Sequence, residues 1–66
     1  MYISEHTIKK ILKEAGAARI SATASAEMQK CINRMAFDVA QKAVRLSRHA
    51  KRKTVDISDV KLACSS

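Results

Sequence analysis

The chain has almost none of the residues that break helices, since it contains no proline and Gly16 is its single glycine. It therefore lacks a glycine-rich loop of the kind that cradles phosphate in nucleotide-binding enzymes. No repeat, linker or low-complexity segment divides the sequence. We expect one domain over residues 1–66, without tails.

Cysteine is also scarce, and the two cysteines present do not indicate a metal or redox site. Cys31 and Cys64 have neither CxxC nor zinc-ligand spacing. We interpret both as small buried or half-buried residues. Together with His6 and His49 they form no recognisable nucleophile–base pair or ligand set. The sequence therefore predicts no enzyme, no metal and no cofactor.

Long apolar runs are missing as well. None reaches the roughly 20 residues that a membrane-spanning helix requires, and no apolar signal-peptide core follows the first residues. We therefore expect an intracellular, reducing location.

Positive charge is what the chain has in excess. Lysine and arginine number 13 against 6 aspartates and glutamates, so the formal net charge is +7. The isoelectric point is near 9.9. Such a charge attracts polyanions, nucleic acid first and anionic membranes second, with an acidic protein as a less common partner.

Residues 21–50 form the longest uninterrupted element. Their apolar side chains recur in steps of three and four, which predicts one helix roughly 40 Å long, with Ser21 as its cap. The apolar stripe consists of Ala24, Met28, Cys31, Ile32, Met35, Val39, Ala43, Leu46 and Ala50. The rest of the chain is too short to cover this stripe, so we expect an obligate dimer. The residues expected in the core between the two chains are Met28, Ile32, Met35 and Val39.

A first, shorter helix is predicted over about residues 5–15. Ser4 is a good N-cap, and Gly16 suits the left-handed position at which a helix ends. Ile3 and Ile8 have the spacing of a hydrophobic staple. The predicted apolar face consists of Ile8, Ile11, Leu12 and Ala15. Lys9 is interpreted as part of a solvated face.

A last helix is predicted over about residues 57–64, with Asp56 as N-cap and Asp59 as its capping-box partner. The residues expected to face inward on this helix are Ile57, Val60 and either Ala63 or Cys64. In the loops, Ile20 and residues 54–55 are predicted to form very short strands.

Two basic stretches suit an anionic ligand. Arg19 lies in the short loop before the long helix, whose N-terminal N–H groups attract phosphate. A merely solvated arginine explains this position equally well. Residues 48–53 contain the densest positive charge of the chain.

Three stretches together resemble the archaeal histones. They are KEAGAARIS at residues 13–21, RHAKRKTV at residues 48–55 and SDVKLA at residues 58–63. The resemblance extends from Ile8 to Ala63. It implies an all-α histone fold, in which a short helix, a long central helix and a short helix pair head to tail with a second copy in a handshake dimer.

The resemblance also implies a protein that wraps and compacts double-stranded DNA without reading its sequence. The first loop of one protomer would lie beside the second loop of its partner, and Arg19 would enter the minor groove there. The first helices would provide a further contact site. The residues assigned to DNA binding are Lys10, Lys13, Arg19, Ile20, Ser21, Lys53, Thr54 and Val55. The protein would act in the cytoplasm, on the chromosome or nucleoid.

Further residues match contacts within and between the family's dimers. Leu46, His49 and Asp59 match the four-helix contact through which dimers join into tetramers or nucleosome-like fibres. Arg52 and Asp59 match an ion pair that braces the second loop. Spacing alone explains His49 as a helix-end residue stabilised by the helix dipole. The partner in each contact would be a second copy or a histone paralogue.

Some positions depart from the family pattern. Lys51 stands where the family commonly has glycine, so either its backbone is strained or the loop differs. Phe37 replaces a usually polar residue, as a peripheral packing residue or an exposed contact. Lys30 and Lys61 match positions at which some relatives pair an acid with a base between turns of a fibre. Their repulsion predicts a looser fibre.

Two other interpretations remain open. The chain could be a histone-fold subunit of a heterodimeric transcription factor, in which case it would stay unfolded when purified alone. It could also be an amphipathic membrane-binding or antimicrobial helix. Gly16 and the mixed charges on the long helix oppose that second interpretation.

Overall fold

The computed structural model describes residues 2–65, which contain three helices: α1 (Glu5–Glu14), α2 (Ala22–His49) and α3 (Ile57–Ser65). Their order and relative lengths agree with the predicted short–long–short pattern. Every helix end lies within one residue of its predicted position. The chain forms two compact units, of which the first ends at Arg34 and the second begins at Met35, within α2.

In the first unit, local side-chain and backbone bonds set both ends of α1. Ser4 Oγ accepts a hydrogen bond from the backbone N–H of Thr7 at 3.2 Å, and Ile8 is fully buried. At the other end, the N–H of Ala17 donates to the carbonyl of Leu12 at 3.0 Å. Gly16 takes the left-handed conformation, with φ of +112°. This is the Schellman arrangement that satisfies the last carbonyls of a helix.

Polar contacts tie the residues before α1 to the first half of α2. The backbone N–H of Ile3 donates to Asn33 Oδ1 at 2.7 Å, and Gln29 Nε2 donates to the carbonyl of Ile3 at 2.9 Å. Ser25 Oγ donates to Glu5 Oε1 at 2.8 Å. Ser25 and Asn33 are buried. We name these three side chains of α2, Ser25, Gln29 and Asn33, the polar clasp.

Like α1, α2 begins at a serine N-cap and ends in a Schellman bond. Ser21 Oγ accepts from the backbone N–H of Ala24 at 3.1 Å, so Ser21 caps the helix as predicted. At the C-terminal end the N–H of Arg52 donates to the carbonyl of Ser47 at 2.9 Å, a second Schellman bond. Lys51 occupies the position that Gly16 has in α1, with φ of +60°. Of the two alternatives for Lys51, the structure has the strained backbone.

The inward face predicted for α3 is correct at Ala63 and wrong at Ile57 and Val60 for the single chain. Asp59 is 5% exposed and Ala63 is 2% exposed, whereas Ile57 is 67% exposed and Val60 is 42% exposed. Asp59 and Ala63 are four residues apart and therefore share one helix face. The carboxylate of Asp59 accepts hydrogen bonds from Arg52 and from the backbone of Asp56, which allow it to lie inside.

The predicted short strands are absent from residues 2–65, because Ile20, Thr54 and Val55 have irregular conformations. A strand requires a neighbouring strand to pair with, and the pairing implied by the resemblance joins two protomers. The prediction for the cysteines is also wrong for the single chain. Cys31 and Cys64 are both exposed, since Cys31 lies on the apolar stripe of α2 and Cys64 lies away from the buried face of α3.

Much of the apolar stripe of α2 lies at the surface of the single chain. Met35 is 56% exposed, while Met28, Ile32 and Val39 are half-buried. Phe37 is exposed as well, and lines a shallow groove with Val44 and Arg48. No helix in the described part of the chain combines the length and apolarity needed to cross a membrane.

Candidate nucleic-acid interface

The lysines of α1 lie together on one exposed face. His6, Lys9, Lys10 and Lys13 line the same shallow depression, as expected for residues three, four and seven positions apart. Lys10 and Lys13 were predicted to bind DNA, and the structure brings them together. Lys9 is exposed, as its interpretation as a solvated residue requires, yet it borders the same depression. The cationic face of α1 is therefore wider than the sequence indicated.

The first loop presents Arg19 next to the start of α2. Arg19 and Ser21 are exposed, while Ile20 is half-buried. The hydroxyl of Ser21 is engaged in the cap of α2. No acidic residue occupies the first turn of this helix, so no carboxylate of that turn competes with an external anion for the positive end of the helix dipole.

The second loop is braced by a bidentate ion pair. Arg52 Nη2 donates to Asp59 Oδ1 at 2.8 Å, and Arg52 Nη1 donates to Asp59 Oδ2 at 3.0 Å. Arg52 Nη1 also reaches the carbonyl of Thr54 at 3.3 Å. The backbone N–H of Asp56 donates to Asp59 Oδ2 at 2.8 Å, as in a capping box. Asp59 thus connects the loop to the first turn of α3.

The same bonds shift the ionisation of both partners. The hydrogen bond from Arg52 lowers the pKa of Asp59 below its usual range, and the N–H of Asp56 lowers it further. The pKa of Arg52 is raised, chiefly by the hydrogen bond to Asp59. Arg52 is therefore engaged within its own unit, whereas Lys51, Lys53, Thr54 and Val55 are exposed around it.

Comparison with known proteins identifies the family to which this arrangement of helices and basic loops belongs. The family described as histone-like transcription factor (CBF/NF-Y) and archaeal histone matches residues 2–64. The chain belongs to this family. Probable archaeal histone 3 of Methanocaldococcus jannaschii is 46% identical over 54 residues, which cover 82% of this chain and 81% of the relative. One of the HAN1 archaeal histone subunits, from Thermococcus zilligii, is 39% identical over 56 residues, which cover 85% of this chain and 84% of the relative.

The three helices are therefore those of a histone fold. The residues assigned to DNA binding in the two loops can now be located in this fold. Arg19 belongs to the first compact unit and Lys53 to the second. The pairing of these two residues is implied between two protomers, and it stays a prediction. The polar clasp, in contrast, was missed by the sequence analysis. Ser25, Gln29 and Asn33 recur every four residues, a signal that could have marked a polar face within an otherwise apolar helix side.

The residues assigned to the contact between histone dimers have different surroundings. Leu46 is half-buried and lines a shallow groove with Lys42, Arg45 and Leu62, and His49 is exposed. Asp59 is buried, and both its carboxylate oxygens accept hydrogen bonds from its own unit. The geometry gives Asp59 the role of a brace, while the contact between dimers stays a prediction.

Within residues 2–65, no three side chains of His, Cys, Asp or Glu come close enough to hold a metal ion.

Proposed function

We propose that this histone-fold chain is an architectural DNA-binding protein that wraps and compacts duplex DNA without reading its sequence. Membership of the archaeal-histone family supports this function. The observation that carries it is the distribution of exposed cations over three segments of that fold: the lysine face of α1, Arg19 in the first loop and Lys53 in the second. The proposal includes no enzymatic activity and no cofactor.

In the proposed mechanism, contacts fall on the DNA backbone. Lys10, Lys13 and Lys53 would neutralise phosphates, and the N–H groups at the start of α2 would orient towards a phosphate oxygen. Arg19 would enter the minor groove each time it faces the protein. Any preference between sequences would arise from the cost of bending them. Each neutralised phosphate releases counterions, so affinity should fall steeply as salt rises.

The binding unit is proposed to be a handshake dimer held by the apolar stripe of α2. Exposed apolar residues such as Met35 support this, because an apolar surface of this kind marks an interaction site. Further dimers would add through Leu46 and His49 into tetramers or fibres on the chromosome. The partner is taken to be a second copy, and a histone paralogue would fit the same surface.

Micrococcal nuclease digestion tests this function directly. The chain alone is reconstituted on several unrelated duplexes, which are then digested over time. Protected fragments that grow in equal steps on every duplex are expected, because homodimers would add side by side along the DNA. A single protected length would limit the assembly to a closed particle. Absence of protection would contradict the proposal and favour a heterodimer that needs another histone-fold chain.

A further inference from the structure

Lys51 has a backbone conformation that residues with a side chain rarely adopt. Among residues 2–65 it is the one non-glycine residue with positive φ, at +60°. In this region the Cβ atom crowds the following carbonyl, which costs free energy that glycine avoids. Two bonds of 2.9 Å at the end of α2, from the N–H groups of Lys51 and Arg52, hold the chain in this turn.

The helix dipole does not explain why a lysine occupies this position. A cation beyond a helix C-terminus is stabilised by the partial negative charge there. The last turn of α2 already contains Arg48, whose positive charge lies at the same end of the helix dipole. A further cation at Lys51 is repelled by Arg48 as well as attracted by the helix end.

The surroundings of Lys51 instead suit an anionic ligand. Arg52 is engaged by both oxygens of Asp59, so it is committed to the loop. Lys51 and Lys53 are exposed on either side of it in the chain. Like charges two positions apart in the chain repel each other, and an anion bound beside them would reduce that repulsion. A nucleic-acid backbone, with its closely spaced phosphates, provides such anions.

We propose that Lys51 is a phosphate contact of the second loop, and that the strained backbone at this position is retained for its ammonium group. Strained backbone conformations cluster at functional sites in folded proteins. The positive φ of Lys51 is therefore a reason to assign this residue a role in binding. The inference rests on the proposed DNA-binding function and adds a contact to the residues assigned above.

The test measures binding to a short duplex that holds one dimer, over a series of salt concentrations. The variants are Lys51→Gly, Lys51→Ala and Lys51→Arg. Lys30→Ala serves as the matched control, because it removes the same charge from an exposed position on α2. If each protomer of the variant neutralises one phosphate fewer, the slope of log Kobs against log salt should become shallower by about 0.9 per phosphate, or about 1.8 per dimer.

The expected pattern is a shallower slope for Lys51→Gly and Lys51→Ala, and an unchanged slope for Lys51→Arg and Lys30→Ala. Lys51→Gly is expected to relieve backbone strain and so to fold at least as well as the unmodified protein, which circular dichroism checks before binding is compared. An unchanged slope in the glycine variant, or an equal change in Lys30→Ala, would overturn the role of Lys51. If the unmodified protein fails to bind the duplex, the proposed function itself fails.

Discussion

At the scale of single residues, Asp59 shows how a buried carboxylate can organise a loop. It accepts two hydrogen bonds from Arg52 and one from the backbone of Asp56. The resemblance predicted Arg52 as a partner of Asp59, and the capping-box spacing predicted Asp56 as the other partner. The burial of Asp59 did not follow from the sequence, because the spacing of apolar residues on α3 favoured Ile57 and Val60 as the inward face. A carboxylate with several donors around it can outweigh that preference.

The acid stability of the protein should depend on Asp59. Because its pKa is lowered in the folded state, its contribution is present above the unfolded-state pKa of about 3.9. The contribution is lost as pH falls through the lower folded-state value. We expect the difference in unfolding free energy between the unmodified protein and Asp59→Asn to shrink below about pH 4. Urea unfolding from about pH 6 to about pH 2 measures it. A pH-independent difference, or an equal one for the exposed Asp38→Asn, would contradict this role.

Relief of strain at Lys51 should stabilise the fold. With φ of +60°, a residue bearing Cβ is disfavoured by about 1 kcal/mol or more relative to glycine. We expect Lys51→Gly to raise the free energy of unfolding by about 1 kcal/mol relative to Lys51→Ala, which lacks the charge but keeps the strain. Chemical denaturation of the two variants at equal protein concentration gives the difference. Equal stability of the glycine and alanine variants would show that the position is not strained.

At the scale of helices, the ends were predictable and the contacts between helices were not. Ser4, Ser21 and Gly16 mark helix boundaries through bonds that reach only a few residues along the chain. Such local rules can be applied to a sequence directly. The polar clasp joins Ile3 to Asn33 across 30 positions of sequence. No local pattern specifies that a backbone group will meet a given amide so far along the chain.

The polar clasp should hold the residues before α1 in place. Asn33→Ala removes the acceptor for the Ile3 N–H, which lies 2.7 Å from Asn33 Oδ1. We expect the variant to lose about 1–3 kcal/mol of stability, towards the lower end because Ile3 is half-buried and water can reach it. Hydrogen exchange at the Ile3 amide should accelerate in parallel. Arg34→Ala, an exposed neighbour on α2, is the control and should change neither quantity.

The two loops should contribute to DNA binding together. Arg19→Ala combined with Lys53→Ala removes exposed cations from both loops and should weaken binding on all duplexes alike. Titrations at several salt concentrations should show a shallower slope, by about 0.9 for each phosphate that is no longer neutralised. Weakening restricted to one duplex would instead indicate base recognition. An unchanged slope would contradict the assignment of the loops to phosphate binding.

At the scale of the whole molecule, much of the apolar stripe of the long helix stays exposed in the single chain. A domain of this size buries a smaller fraction of its surface than a larger one and is marginal by itself. This argument needs only length, composition and periodicity, so it could be made from the sequence. How two copies would pair depends on surface shape, which periodicity does not describe; the handshake geometry rests on family membership.

Obligate dimerisation predicts a stability that depends on protein concentration. If only the dimer is folded, the unfolding midpoint should rise with concentration by mass action. Met35→Lys should then abolish folding, because it would place a charge in the core between the two protomers. Leu62→Lys is the matched control: both side chains are 56% exposed in the single chain, but Leu62 lies outside the predicted dimer core. Sedimentation equilibrium and circular dichroism over a dilution series compare the two variants. If both variants unfold alike, with midpoints that do not change on dilution, a single chain would be the folded unit, and the exposed stripe of α2 would need another explanation.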